Sequence, residues 1–122
     1  MTDKFLVIDA LSPGVEPIVS AADPASTVAG DPATLTWELD RTPDGSVETG
    51  IWEIAPGTWN FTADCWEIMH IVAGHSELTE TETGKTHVLT AGSVFLMRPG
   101  FTVVWKVIET TRKIWVTYAP AA

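Results

Sequence analysis

From Leu35 onward the chain alternates apolar and polar residues with a period of two, and no stretch sustains the spacing of an amphipathic helix. This alternation predicts strands over residues 35–39, 49–55, 65–72, 76–81, 85–89, 93–97, 102–108 and 113–118. Turn chemistry separates them: Pro43-Asp44-Gly45, Pro56-Gly57, Gly74, Thr83-Gly84, Ala91-Gly92, Pro99-Gly100 and the polar run Glu109-Thr110-Thr111-Arg112. Many short strands at such spacing point to an antiparallel sandwich or a small barrel. The first 35 residues differ. Their apolar runs, Phe5 to Ile8 and Ile18-Val19, are broken by Ser12-Pro13-Gly14, Asp23-Pro24 and Asp31-Pro32. That pattern predicts an arm over residues 1–35, with one or two short edge strands, ahead of a single barrel over 36–122.

Strand parity assigns faces. In the strand over 65–72, Cys65, Glu67, Met69 and Ile71 share one face, and Trp66, Ile68, His70 and Val72 share the other. Both faces are largely apolar, so both need cover. A barrel interior covers one; a second sheet or a partner subunit must cover the other, which predicts a homodimer.

Composition narrows the function classes. The 122 residues suffice for one core and not two. An apolar content of 45%, with six Trp and four Phe, predicts a packed globule. The net charge of −9 argues against nucleic acid or an anionic membrane as a partner, because both require a basic footprint. No run approaches the ~20 apolar residues of a membrane span, and the acidic first ten residues lack a secretory pattern. The expected setting is cytoplasmic, with a small molecule as the ligand. The single cysteine, Cys65, can form no internal disulfide. It lies mid-strand without an activating histidine at a suggestive spacing, so it reads as structural filler.

Several motifs occur in an order that resembles the cupins. Pro56-Gly57, Glu67 and Gly74 resemble the first cupin motif; Ala91-Gly92-Ser93, Arg98-Pro99-Gly100-Phe101-Thr102 and Trp105 resemble the second. Gly50-Ile51-Trp52-Glu53 and the closing run Glu109 to Trp115 resemble one branch, the small single-domain proteins similar to the ureidoglycine aminohydrolase cupin domain. The resemblance covers roughly residues 47–118 and implies an all-β, single-domain, RmlC-like jelly-roll barrel of antiparallel strands with the site inside. Metal-binding cupins hold a divalent ion with two His and a Glu from the first motif and a His from the second. Carried over, Glu67 is the glutamate. Asn60 to Asp64 contain no histidine, the second-motif histidine position is Val103, and Arg98 stands where that motif usually has proline. A lone carboxylate does not hold a catalytic transition metal. His70 falls on the opposite face from Glu67, and nothing in the spacing of His75, His87 or Asp64 suggests a replacement set. The expectation is no metal and no cofactor.

Without a metal, Glu67 is a carboxylate directed into an apolar barrel, which is costly unless it is paired or protonated. The natural partner is Lys113, where the resembling branch typically keeps a lysine; on its strand Lys113, Trp115 and Thr117 share a face. Glu67 and Lys113 are therefore the candidate catalytic pair, with Trp52, Met69, Trp105 and Trp115 as candidate ligand-binding residues. The resulting reading is a metal-independent cupin that binds a small polar metabolite, as a lyase, isomerase or hydrolase. Its alternatives are a non-enzymatic metabolite-sensing or accessory dimer, a metal-dependent aminohydrolase-like enzyme using other ligands, and a structural ion pair among ordinary core tryptophans. Gly84-Lys85-Thr86 lacks the upstream glycine of a phosphate loop and reads as a hairpin turn. Glu77, Glu80 and Glu82 read as a solvated edge.

Overall fold

The computed structural model describes residues 4–21 and 23–120. Among these it contains no helix and nine strands: β1 (Ile18–Ala21), β2 (Thr27–Gly30), β3 (Ala33–Arg41), β4 (Val47–Ile54), β5 (Gly57–Thr62), β6 (Trp66–Glu80), β7 (Thr86–Thr90), β8 (Val94–Met97) and β9 (Thr102–Tyr118). All pairings are antiparallel. Among the described residues no helix is long and apolar enough to cross a membrane.

The long strands β6 and β9 pair along nearly their whole length and form the spine. Residues 111–118 of β9 continue through β4 and β3 to β1, while residues 66–71 of β6 carry β8. The other halves of the spine carry β5 and β2 on one side and β7 on the other. The spine bends in the middle, so its two halves become two facing sheets of one curled jelly-roll barrel. Trp52 of β4 meets Trp105, in the opposite half of β9, with ring centroids 5.6 Å apart. Ile54, Met69, Ile71, Leu78, Leu89, Met97, Val103, Trp105 and Val107 fill the space between the sheets.

The bend corrects one expectation. Gly74 and the run Glu109 to Arg112 do not end strands; they are where both spine strands fold over while continuing to pair. The ladder shifts register three times between Ile71 and Ser76, the mark of bulges, which bend a strand without reversing it. Gly74 has a φ of +99°, and a Cβ there would lie 2.2 Å from the Thr110 carbonyl oxygen. Only glycine allows this approach. At the same place Thr111 donates its hydroxyl to the Glu109 carbonyl at 2.9 Å, so Ser76 must donate to the Thr111 oxygen, 2.6 Å away and fully buried. β5 was not anticipated: its Trp59-Asn60-Phe61 alternation is short and follows Pro56-Gly57, a turn signal that obscured it.

On the outer face of the β3–β4–β9 sheet, Trp37 and Ile51 are buried. The Arg112 guanidinium lies 4.7 Å over the Trp37 ring, pairs with Glu53 at 3.1 Å and donates to the Ala10 carbonyl at 2.8 Å, which ties the N-terminal arm to the sheet.

Candidate functional site

Register across the first sheet places the site residues in rows on the inner face. Trp52 of β4, Lys113 of β9 and Ile71 of β6 stand level; two residues along come Gly50, Trp115, Met69 and Phe95; two further come Glu48, Thr117, Glu67 and Met97. Gly50 is needed in the middle row. A Cβ at that position would lie 2.0 Å from the Trp37 carbonyl oxygen and 2.8 Å from Cζ2 of Trp115. The missing side chain lets the Trp115 indole lie across β4.

Lys113 starts four residues from Glu67 along the β6 ladder, and its long stem carries the amine over Met69 toward that carboxylate. Its Nζ donates to Glu67 Oε2 at 3.3 Å and contacts Met69 Sδ at 2.8 Å. The same nitrogen lies 4.5 Å from the centre of the Trp52 ring and 5.1 Å from that of Trp105. Burial pushes the Lys113 ammonium below its ordinary range, and the Glu67 carboxylate offsets part of that push. The π faces of the two tryptophans favour the charged form in the same way as the carboxylate.

A cavity of about 290 Å³ opens beside the amine. Its walls are Trp52, Trp59, Phe61, Trp105 and Trp115, and its polar groups are Lys113, Glu67, Glu48, Thr36 and Thr117. The expected pair and three of the expected aromatic residues therefore meet in one space. Met69 does not line that space; it is 1% exposed and lies beneath the amine. Trp59 and Phe61 were missed because β5 was missed, although the alternation of Trp59 and Phe61 about Asn60 carried the signal. Trp59 stacks on Trp105 with centroids 6.3 Å apart. The indole nitrogens of Trp59 and Trp105 are buried without a hydrogen-bond partner. Such groups cost about 1–3 kcal/mol each, so this wall is less than optimal for stability alone.

The remaining candidates lie elsewhere. His70 is exposed on the outer face, level with Val94 and Ile114. His87 is on β7 in the other sheet, with Nε2 2.7 Å from Glu80 Oε2. Burial, helped by Asp64, pushes the Cys65 thiol up to about 11, which makes it a poor nucleophile. Val103, at the second-motif ligand position, is buried in the core. Among the described residues no three His, Cys, Asp or Glu side chains converge. The one carboxylate at the family's metal position faces an ammonium, so these residues do not fit the metal of metal-binding cupins.

The model of the EutQ-like cupin domain matches residues 41–115. Among solved structures, the chain is similar to the EutQ protein of Clostridium difficile, at 23% identity and a TM-score of 0.62 over 74% of this chain and 70% of that one. It is similar to ethanolamine utilization protein Q of Salmonella typhimurium at 18% identity and a TM-score of 0.62, over 88% and 98% of the two chains. A Pseudomonas syringae protein of unknown function from the DUF861 family superposes better, with a TM-score of 0.79 over 90% of this chain at 18% identity; this chain spans 46% of that protein. At these identities the likeness concerns the fold. A comparison with curated proteins finds no match. The facing sheets around an inward Glu67, together with the match over residues 41–115, place the chain in a family: it belongs to the EutQ-like cupin domains.

Proposed function

We propose that this protein is a metal-independent small-molecule-binding cupin whose ligand sits in the aromatic cavity and is handled by Glu67 and Lys113. The observation that carries this reading is the pair itself: an amine 3.3 Å from a carboxylate, both nearly buried, at the edge of a space large enough for a small metabolite. A purely structural pair is packed on all sides. This one faces a cavity, and the buried indole donors beside it lack partners. A perturbed amine next to a carboxylate in a desolvated pocket is suited to moving a proton to and from a bound molecule. The motif resemblance to the ureidoglycine aminohydrolase cupin domain supports a small polar ligand and assigns no reaction.

The test is ligand binding to the wild-type chain and to Lys113→Met, read by thermal shift and tryptophan emission against a panel of small polar metabolites. A ligand raises apparent stability by mass action, and the reading expects a rise in the wild type that is lost in the variant while the variant stays folded. Elemental analysis of protein purified without chelator checks the metal-independent part: stoichiometric manganese, nickel, iron or zinc would overturn it. We propose in addition that two copies associate through the outer face of the sheet, where Ile68, Val94, Leu96 and Tyr118 are exposed.

A further inference from the structure

The chain has four lysines. Lys4, Lys85 and Lys106 are exposed, and only Lys113 is buried, with its amine at the wall of an aromatic cavity. We propose that the cavity takes a small aldehyde or ketone and that Lys113 captures it as an imine, with Glu67 moving the protons. This deepens the preceding reading and rests on it.

Three features of the geometry support the step. The amine has an acid–base partner on one side, Glu67 Oε2 at 3.3 Å, and the open cavity on another. The walls include four tryptophans and a phenylalanine, whose apolar faces offer a surface for the body of a carbonyl compound beside the amine. The product keeps a positive charge on the same nitrogen, which remains beside the Glu67 carboxylate and the faces of Trp52 and Trp105. Surroundings that hold an ammonium therefore hold an iminium equally well. A lysine desolvated in an apolar pocket is the usual form of an amine nucleophile toward carbonyls.

The chemistry balances without an outside reagent. Glu67 takes one proton from the Lys113 ammonium, and the freed lone pair attacks the carbonyl carbon. The C–N bond forms as the carbonyl π pair moves to oxygen, and a proton passes from nitrogen to that oxygen to give the carbinolamine. The Glu67 carboxyl returns its proton to the hydroxyl, the C–O bond breaks, water leaves and the C=N bond forms. An ammonium and a carbonyl have become an iminium and one water, and Glu67 ends as a carboxylate. The cavity volume of about 290 Å³ is at the small end for ligand sites, which limits the carbonyl compound to a compact one.

The experiment treats the full chain with propanal, and separately with benzaldehyde, in the presence of sodium cyanoborohydride, which reduces an iminium to a stable secondary amine. Intact mass followed by peptide mapping locates the added group. The expected result is an adduct on Lys113 formed about tenfold faster than those on Lys4, Lys85 and Lys106. In Glu67→Gln, with native tryptophan emission as the check on folding, that advantage is lost. Labelling of Lys85 and Lys106 while Lys113 stays unmodified in folded protein overturns the proposal. A metabolite without a carbonyl group that stabilises the wild type but not Lys113→Met, with Lys113 unlabelled, overturns the imine and leaves the binding reading standing. If neither labelling nor stabilisation occurs, both fall.

Discussion

Lys113 is held between opposing influences. Desolvation favours its neutral form, while Glu67 and the faces of Trp52 and Trp105 favour the ammonium. Desolvation is the larger, so the folded chain releases this proton at a lower pH than the unfolded chain, where a lysine titrates near its usual ~10.4. Between those two values the unfolded state binds more protons, and unfolding free energy rises with pH. Below the folded value the cost of a buried ammonium is fully present; above ~10.4 it is gone. Lys113→Met removes that slope. Urea titrations at a series of alkaline pH values should show the wild type gaining stability relative to Lys113→Met, and parallel curves would contradict the assignment. The pair should also be coupled. Lys113→Met and Glu67→Gln each leave an almost buried polar group without its partner, at a cost of about 3 kcal/mol, whereas the double variant costs clearly less than the sum. Strict additivity would mean that the 3.3 Å contact contributes nothing.

At the scale of elements, the barrel depends on two strands that fold over without breaking. Gly74→Ala places a methyl group 2.2 Å from the Thr110 carbonyl oxygen in a backbone conformation that alanine resists. Gly84→Ala is the control, since its φ is +73° and no atom lies within 4 Å of the added carbon. The control should cost about 1 kcal/mol, and Gly74→Ala more than about 3 kcal/mol. Equal losses in chemical denaturation would show that the approach at the bend is relieved cheaply. The same bend marks the limit of what strand periodicity conveys. Parity along residues 65–72 and 113–118 grouped Glu67 with Met69 and Lys113 with Trp115, the cupin resemblance implied that these faces point inward, and Trp52 stands level with Lys113 in the ladder. Periodicity reports which side chains share a face, and so it grouped the candidate residues. It does not distinguish a glycine that reverses the chain from one that bulges it, because both need a left-handed backbone and both interrupt the alternation. Gly74 and Thr110-Thr111 thus looked like turns. β5 escaped for a related reason: four of its six residues are not hydrophobic, and the Trp59-Phe61 signal is one repeat long.

For the molecule as a whole, the two faces of the first sheet end up differently covered. The inner face closes over the core, and the arm reaches the outer face at Arg112 through Ala10. Farther along that outer face, three adjacent strands present Leu96, Ile68 and Val116 in one row and Val94, His70 and Ile114 in the next, with Trp66 and Tyr118 beyond. Exposures of 61% for Val94, 39% for Leu96 and 46% for Tyr118 leave an apolar strip, interrupted at His70, that burial in a second copy would remove from water. A single interior charge on that strip should be enough to prevent association, because a desolvated carboxylate without a partner costs more than the strip gains. The proposed dimer is therefore expected in sedimentation experiments on the wild type, and Ile68→Glu is expected as a folded monomer. Charge adds a second, independent signature. Each copy carries −9, so pairing brings like charges together, and raising the ionic strength to about 0.1 M screens their repulsion beyond about 10 Å. Association driven by the apolar strip should tighten with added salt, whereas association through ion pairs should weaken. A wild type that stays monomeric at high concentration and high salt would overturn the proposed dimer.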